Sequence, residues 1–206
     1  MSIHPKRGLL VVISAPSGCG KTTVISKLLS RNLNLKRSIS GTTRKPRKEE
    51  VDGRDYFFLS EQKFLENKRK KAFLESARLF GHYYGTFKQS VLKKLTEGRD
   101  VVLTIDVDGA SQVRKKMKGI FIFLMPPSIE DLKKRLQNRQ SDSKKQIEQR
   151  LERANAEITC AKNYDYVVIN RYVNETIDAI ESIIEKEKKK RVSSNREKKS
   201  YQSVRP

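Results

Sequence analysis

The sequence has few cysteines and no long apolar segment. Cys19 and Cys160 are its only cysteines, and two in 206 residues do not make a disulfide framework, so we expect free thiols in a reducing cytoplasm. No apolar run approaches the roughly 18 residues that a membrane-spanning helix needs. The run at residues 9–13 is short and no small-residue cleavage site follows it. We therefore expect a cytoplasmic protein without a signal peptide or a membrane partner.

Acidic residues are also scarce, with 24 Asp and Glu against 45 Lys and Arg, which gives a net charge of +21. This balance favours polyanionic partners such as nucleic acid or phosphorylated small molecules, although solvated helical faces would explain it too. Positive charge is dense at residues 68–71 and 114–118 and from residue 186 onward. Residues 191–206 contain almost nothing apolar, and we expect a basic, disordered tail that offers a route to nucleic-acid binding.

Short apolar runs alternate with helical patterns along most of the chain. This alternation predicts an α/β protein in which crossover helices flank a parallel sheet. Residues 38–87 break the rhythm, because short aromatic strands at 55–59, 72–80 and 83–87 surround one helix near 61–70. We interpret them as a small mixed insert in a core made of residues 1–37 and 88–190. The predicted strands of the core are residues 9–14, 101–105, 120–124 and 166–169, and the predicted helices are 22–29, 89–96, 129–137, 144–162 and 175–187.

Residues 15–22 read Ala-Pro-Ser-Gly-Cys-Gly-Lys-Thr and fit the phosphate-binding P-loop pattern, with Ala15 in place of the first glycine. A predicted strand precedes them and a predicted helix follows. Successive N–H groups and the helix N-terminus would cradle phosphates, Lys21 would reach the β- and γ-phosphates, and the Thr22 hydroxyl would bind Mg²⁺. The motif predicts a nucleoside triphosphate donor but leaves the acceptor open. The predicted donor-binding residues are Ala15, Pro16, Ser17, Gly18, Cys19, Gly20, Lys21, Thr22 and Thr23.

Candidate acceptor groups lie in the insert. Arg44 and Arg47, three apart on a proline-containing segment, can fork around one phosphate, and Tyr56 and Tyr84 can add hydroxyl donors. Glu75 interrupts an apolar strand, where an unpaired carboxylate is costly, and a carboxylate facing a pocket suits a base with two N–H donors, as guanine has. Taken alone, the arginines could be surface charges, Glu75 could face solvent, and the tyrosines could lie at the edge of the core.

These patterns together carry a family resemblance. Ser-x-Ser-x-Thr-Thr-Arg-x-Pro-Arg at 38–47, Gly-x-Asp-Tyr-x-Phe at 53–58 and Gly-x-Tyr-Tyr-Gly at 81–85, behind this P-loop, resemble the guanylate kinase family over about residues 8–190. The resemblance implies a P-loop kinase core, a GMP-binding insert, a helical lid at about 136–152, and transfer of phosphate from ATP to GMP or dGMP. It implies a GMP-phosphate clamp and guanine readers: Arg44, Arg47, Tyr56 and Tyr84, and Glu75 and Thr86 with Ser40 beside them.

Further roles follow from the same resemblance. Arg135, Arg139 and Arg150 flank the polar segment at 138–144, which should be mobile, and would close over the phosphates, whereas alone they could be solvated helix charges. Asn170 would lie beside the adenine. Asp106, after the strand at 101–105, would act near GMP and Mg²⁺ through water. The chain departs from its relatives at Thr104, where many have an acid, and at Asp108, where they often have glutamine.

Three other functions remain open from the sequence. A non-catalytic guanylate-kinase-like module would bind phosphopeptides, but such modules typically lose the P-loop lysine or the lid arginines, which this chain keeps. A nucleic-acid-binding role of the basic tail could coexist with catalysis. A P-loop kinase could also act on another nucleotide. The sequence indicates neither the oligomeric state nor the preference between GMP and dGMP.

Overall fold

The structure is a computed structural model that describes residues 7–79, 81–137 and 144–202. Its elements mostly alternate between strand and helix, apart from the insert and the successive helices Ile129–Gln137 and Lys144–Thr159. In chain order they are β1 (Leu10–Ser14), α1 (Lys21–Arg31), β2 (Leu35–Arg37), β3 (Ser40–Thr42), β4 (Phe57–Phe58), α2 (Glu61–Arg69), β5 (Phe73–Leu79), β6 (His82–Phe87), α3 (Lys88–Thr96), β7 (Asp100–Thr104), α4 (Val107–Arg114), β8 (Ile120–Met125), α5 (Ile129–Gln137), α6 (Lys144–Thr159), β9 (Tyr166–Ile169) and α7 (Val173–Gln202).

The core is a five-stranded sheet in the order β2-β7-β1-β8-β9, and every neighbouring pair is parallel. All five residues of β1 are buried, because helices cover both faces of the sheet and make a continuous apolar run favourable there. One apolar cluster joins β1 and β8 to α1 and α7, and a second joins β1 and β7 to α3 and α4. The predicted α/β class with a parallel core sheet is confirmed.

The insert forms a second, four-stranded sheet in the order β4-β3-β6-β5. Aromatic side chains hold it together: the ring of Phe64 from α2 stacks on Phe73 at 4.5 Å between centroids and on Tyr83 at 5.3 Å. The insert meets the core where β5 packs on α4. There the Gln112 amide donates to the carbonyl of Ser76 at 3.0 Å and accepts from its N–H at 3.1 Å. The insert therefore has its own small core and one specific joint.

Three elements have no counterpart in the sequence-based prediction. The strands β2 and β3 are three residues long, which is too short for a periodic pattern, and they exist because longer strands beside them supply hydrogen bonds. The helix α4 begins at Asp106, whose Oδ1 accepts a hydrogen bond from the N–H of Gly109 at 2.8 Å. Such capping by an aspartate is a recognised helix start.

The C-terminal region differs from its prediction. The helix α7 continues to Gln202, so residues 191–202 are helical where we expected disorder. A helix that is already nucleated on the core extends at little cost through Lys, Arg and Glu, which are good helix formers. Residues 203–206 and most of the polar segment predicted to be mobile, 138–143, lie outside the described residues. Within the described parts of the chain, no helix has the length and apolar character needed to span a membrane.

Candidate functional site

The phosphate loop connects β1 to α1. Gly18 and Gly20 have φ angles of 89° and 86°, in the left-handed region that side chains disfavour. Gly20 is the N-cap of α1 and supplies no side-chain hydrogen bond, so the first N–H groups of this 11-residue helix are left to bind an anion. The sequence-predicted loop thus has the backbone geometry of a phosphate site.

Lys21 begins α1 and points across the sheet toward the end of β7. Its Nζ donates to the carbonyl of Ile105 at 3.3 Å. Burial lowers the pKa of the Lys21 ammonium, and the charges of Glu157 and Asp106 oppose that shift. An ammonium that has lost most of its water in this way is ready to pair with a phosphate oxygen.

A cavity of about 630 Å³ runs from the phosphate loop to the insert. It brings together the donor residues of the core and the acceptor residues of the insert that the sequence predicts. The predicted site residues that line it are Ala15, Pro16, Ser17, Gly18, Gly20, Lys21, Thr22, Thr23, Ser40, Arg47, Tyr56, Glu75, Tyr84, Asp106 and Arg150. Arg139 lies outside the described residues, and the lining does not include the predicted residues Cys19, Arg44, Thr86, Arg135 and Asn170.

A row of polar side chains crosses the insert sheet at the cavity. Ser40, Thr86 and Glu75 stand opposite one another on β3, β6 and β5. The Thr86 hydroxyl donates to Oε1 of Glu75 at 2.6 Å, and the Ser40 and Thr86 hydroxyl oxygens are 3.4 Å apart. Burial raises the pKa of Glu75 to about 7, and the nearby charge of Asp106 adds to the shift. Glu75 is therefore a buried carboxylate that borders the cavity, and it does not face solvent.

The two predicted clamp arginines have different environments. Arg44 is held by Glu50, whose Oε1 accepts from Nη2 at 2.8 Å, and its guanidinium lies 5.5 Å from the Tyr56 ring centroid. Oε2 of Glu50 accepts from the backbone N–H of Arg47 at 2.8 Å. The hydrogen bond from Arg44 also keeps the pKa of Glu50 below its usual value. Only Arg47 of the pair lines the cavity, and Glu50, which the sequence analysis missed, organises both.

Asp106 connects the cavity to α6. Its Oδ2 accepts from Arg153 at 3.3 Å, and Arg153 also donates to Glu157 at 2.9 Å. Burial raises the pKa of the Glu157 carboxyl. Both Arg153 and Glu157 line the cavity with Arg150, but neither was predicted. Their spacing of three and four residues would have placed all three on one helical face.

The donor set near the loop suits Mg²⁺. The Thr22 hydroxyl and the Asp106 carboxylate both line the cavity and are hard oxygen ligands. Among the described residues there is no group of three or more His, Cys, Asp and Glu side chains that could cage a metal. This agrees with the habit of Mg²⁺ of taking few protein ligands and sharing substrate phosphates and water. Thr104 also lines the cavity, whereas Asp108 is exposed in the first turn of α4 and lies outside the lining.

Arg135 and Asn170 converge beneath the loop. Nδ2 of Asn170 donates to the carbonyl of Cys19 at 2.6 Å, and Arg135 donates to the same carbonyl at 3.3 Å and to that of Asn170 at 3.1 Å. Thr176 fixes the Asn170 amide by donating to its Oδ1 at 2.9 Å. Here these two residues brace the phosphate loop from below. Cys19 itself is buried, and burial raises the pKa of its thiol to about 11.

One further cation was missed. Arg37, at the end of β2, lines the cavity, and its buried Nε has no hydrogen-bond partner among the described groups. A buried donor without a partner is costly. Since β2 was not predicted, no pattern in the sequence indicated that residue 37 lies at the site. The cavity therefore holds more positive charge than the motifs predict.

Comparison with known proteins identifies the family of this chain. The sequence model of the family described as guanylate kinase matches residues 7–187. The chain is 49% identical over 189 residues to a guanylate kinase of Caldanaerobacter subterraneus, covering 91% of each protein. It is 45% identical over 186 residues to a guanylate kinase of Clostridioides difficile, covering 90% of this chain and 91% of the relative.

A solved structure is similar as well. The crystal structure of guanylate kinase from Anaplasma phagocytophilum superposes with a TM-score of 0.74 at 35% identity, over 88% of this chain and 87% of that one. The family match spans both sheets and the phosphate loop between them. With its cavity, its motifs and these relatives, the chain belongs to the guanylate kinase family.

Proposed function

We propose that the protein transfers the γ-phosphoryl group of ATP to GMP, giving ADP and GDP, and that it accepts dGMP as well. The observation that carries this proposal is the cavity that Lys21 and Glu75 share. A phosphate loop by itself specifies a donor. The buried carboxylate across the same cavity adds a group that selects the acceptor base.

GMP would bind on the insert. The carboxylate of Glu75 would accept from N1 and N2 of guanine, and the hydroxyls of Thr86 and Ser40 would extend the polar row along the base. Arg47 and the hydroxyls of Tyr56 and Tyr84 would hold the GMP phosphate, with Arg44 behind them on Glu50. An acceptor such as AMP lacks the paired N–H donors and would leave Glu75 buried without a partner.

ATP would bind on the core at residues 15–23, with its phosphates on backbone N–H groups of the loop other than Pro16, which has none, and its adenine on the side of Asn170. Thr22 and, through water, Asp106 would hold Mg²⁺, which when bound neutralises charge on the β- and γ-phosphates. The phosphoryl group would move in line from the leaving oxygen of ATP to the attacking oxygen of GMP. The remaining positive charge around it would come from Lys21, Arg135, Arg139 and Arg150. Residues 136–152 would then act as a lid that excludes water.

The retained cations favour catalysis over a phosphopeptide-binding module. Lys21 and Arg150 line the cavity, and Arg135 braces the loop. We also propose that the enzyme works in the cytoplasm, where the free thiols of Cys19 and Cys160 would stay reduced.

The test is a coupled assay of ADP release with GMP, dGMP, AMP, CMP and UMP as acceptors. We expect turnover with GMP and dGMP, none of comparable rate with the others, and loss of turnover when EDTA removes the divalent cation. The same panel run with Lys21→Ala protein controls for a contaminating kinase. Strong turnover with AMP and none with GMP would refute the proposal.

A further inference from the structure

A second cavity, of about 580 Å³, lies behind β5. The residues of that strand divide between the two cavities: Ala77 and Leu79 line the first, Leu74 and Ser76 line the second, and Glu75 borders both. The remaining walls come from the end of α2, the start of α3 and one face of α4. A volume of this size falls within the range of small-molecule sites.

The second cavity is strongly basic. Its five cations are Arg7, Lys68, Lys71, Lys88 and Lys116, and Glu75 is its single acidic residue. The Lys116 ammonium donates to the carbonyl of Leu74 at 2.6 Å. Throughout the described ranges, the ammonium groups of Lys68, Lys71 and Lys88 form no ion pair with a carboxylate. All three side chains are exposed and line the cavity, so their charges favour an anion there.

The backbone at Lys71 adds an independent observation. Its φ of 52° makes it the one residue other than glycine with a positive φ in the described parts of the chain. It occupies the turn that ends α2, where its N–H donates to the carbonyl of Lys68 and the N–H of Ala72 donates to that of Asn67, both at 3.0 Å. Glycine or asparagine is favoured at such a position. A lysine held there at a conformational cost, on the rim of a basic cavity, is a reason to look for a function.

The remaining lining is partly apolar. Phe73, Leu74, Leu92 and Met117 are the apolar residues of the lining. The Gln112 amide is already occupied by the backbone of Ser76. A ligand that fits would therefore carry several negative charges at one end and an apolar or ring-shaped part at the other.

We propose that this cavity binds a small polyphosphorylated anion, with its phosphates on Lys68, Lys71 and Lys88 and its apolar part against Leu92 and Met117. The ligand joins the two parts of the molecule, because Lys68 and Lys71 belong to the insert and Lys88 begins the helix that returns to the core. It also lies beside Glu75 and disfavours the ionised form of that carboxylate. The expected effect on catalysis rests on the proposed function: the bound anion raises the KM for GMP and leaves the KM for ATP unchanged.

Binding is tested first without reference to activity. Lysine acylation is followed residue by residue by mass spectrometry, at low salt without divalent cations, with inorganic tripolyphosphate and, in a second arm, CTP. We expect protection of Lys68, Lys71 and Lys88, and none of the exposed neighbours Lys70 and Lys93. Stronger protection by CTP assigns the ligand to nucleotides, and equal protection assigns it to polyphosphate itself. No protection by either, or equal protection of Lys70 and Lys93, overturns the site.

A pair of matched variants locates the effect. Lys71→Asn with Lys88→Gln removes two cavity charges, and asparagine tolerates the left-handed backbone at position 71. Lys70→Gln with Lys93→Gln removes the same charge beside the cavity. The tripolyphosphate concentration that half-protects Lys68 should rise at least about tenfold in the first variant and less than about twofold in the second. Equal shifts in both variants would mean that the anion responds to the general positive charge of this surface, and they would overturn the proposal. Melting curves check that both variants fold.

The consequence for catalysis is measured separately. At saturating ATP, tripolyphosphate should raise the KM for GMP in the wild type and in the control variant, and not in the cavity variant. An unchanged KM while Lys71 is protected would overturn the coupling to GMP. Inactivity of the wild type with GMP would instead overturn the proposed function, and the protection of Lys71 would still establish the site.

Discussion

The donor and acceptor sides of the cavity are built by different means. The phosphate loop presents backbone N–H groups and stands on β1, a fully buried strand in the middle of the core sheet. The acceptor side presents side chains from short strands and loops of the insert, such as Ser40 on β3 and Arg47 beyond it. A backbone site needs only the right turn, whereas a side-chain site needs the right residue at each position. In the proposed assignment, donor recognition therefore depends on a backbone turn and acceptor recognition depends on particular side chains of the insert.

The two sides also differ in what holds them. The carbonyl of Cys19 in the phosphate loop is fixed from the core by Asn170 and Arg135. The acceptor side depends on local ion pairs such as that between Arg44 and Glu50, at 2.8 Å, and reaches the core through the joint between Ser76 and Gln112. Changes on the donor side should therefore affect the transfer step, and changes on the acceptor side should affect the affinity for one substrate.

Removing the donor-side ammonium tests the first half of this contrast. In Lys21→Ala we expect kcat to fall at least about 10²–10³-fold, because a preorganised cation no longer stabilises charge on the moving phosphoryl group. The KM for GMP should change little and the melting temperature should stay near that of the wild type. Lys27→Ala, which removes an exposed lysine of the same helix, is the control. Near-normal turnover of Lys21→Ala would contradict the role given to this residue.

Removing the charge that reads the base tests the second half. Glu75→Gln should raise the KM for GMP about 10–100-fold, because an amide accepts from one N–H of guanine but presents a donor to the other. The KM for ATP should not change. Glu97→Gln, at an exposed position after α3, serves as the control. If both nucleotides lost affinity equally, the contrast between the two sides would break and a folding defect would be the better explanation.

The two clamp arginines allow a finer test. Arg47→Gln should raise the KM for GMP about tenfold, since its guanidinium lines the cavity. Glu50→Gln should raise it by about twofold to fivefold, because Arg44 and the Arg47 backbone lose a shared anchor but keep their own charge. Arg54→Gln, an exposed arginine of the same loop, should have no effect. Steady-state kinetics with GMP varied at saturating ATP measures all three, and a larger loss for Glu50→Gln would refute this order.

The smallest expected effect is a pH dependence that Glu75 alone should cause. Its pKa is raised from 4.5 to about 7 in the folded protein, so the folded state binds this proton more tightly than the unfolded state does. Glu75 therefore contributes stability that is fully present below pH 4.5 and is lost as the pH rises through about 7. Relative to Glu75→Gln, the free energy of unfolding should fall by on the order of 1–3 kcal/mol over this window and stay level above it.

Urea unfolding at several pH values measures that difference. GMP affinity should move the opposite way and increase severalfold as the pH rises through 7, because the ionised carboxylate accepts both N–H groups. A difference between wild type and Glu75→Gln that does not change with pH would contradict the assignment of this titration to Glu75.

The donor side was predictable from the sequence because its signals are local. The order of strand, glycine-rich turn and helix sits within residues 9–29, and α5 and β9 were predicted with the bounds that the structure has. The short strands β2 and β3 were not, since they depend on partners elsewhere in the chain. Local sequence predicts the elements that stabilise themselves and misses those that their neighbours stabilise.

The site shows the same division. Glu75, Thr86 and Ser40 became a convincing set only through the family resemblance, because strand register, not spacing, puts them in a row. Arg37 was missed because it reaches the cavity through long-range packing. Glu157 shares a helical face with Arg150, but that spacing does not by itself show which part of the core the face contacts. No pattern within the chain states that residue 157 lies near residue 21, since the fold alone determines that distance.

The hydrogen bond from Asn170 to the Cys19 carbonyl has a consequence for synthesis. Its partners are 151 positions apart, so the phosphate loop receives this brace only after nearly all of the chain has emerged from the ribosome. By then residues 38–87 have long been available to fold. A nascent chain can therefore form its insert sheet before its phosphate loop is fully braced.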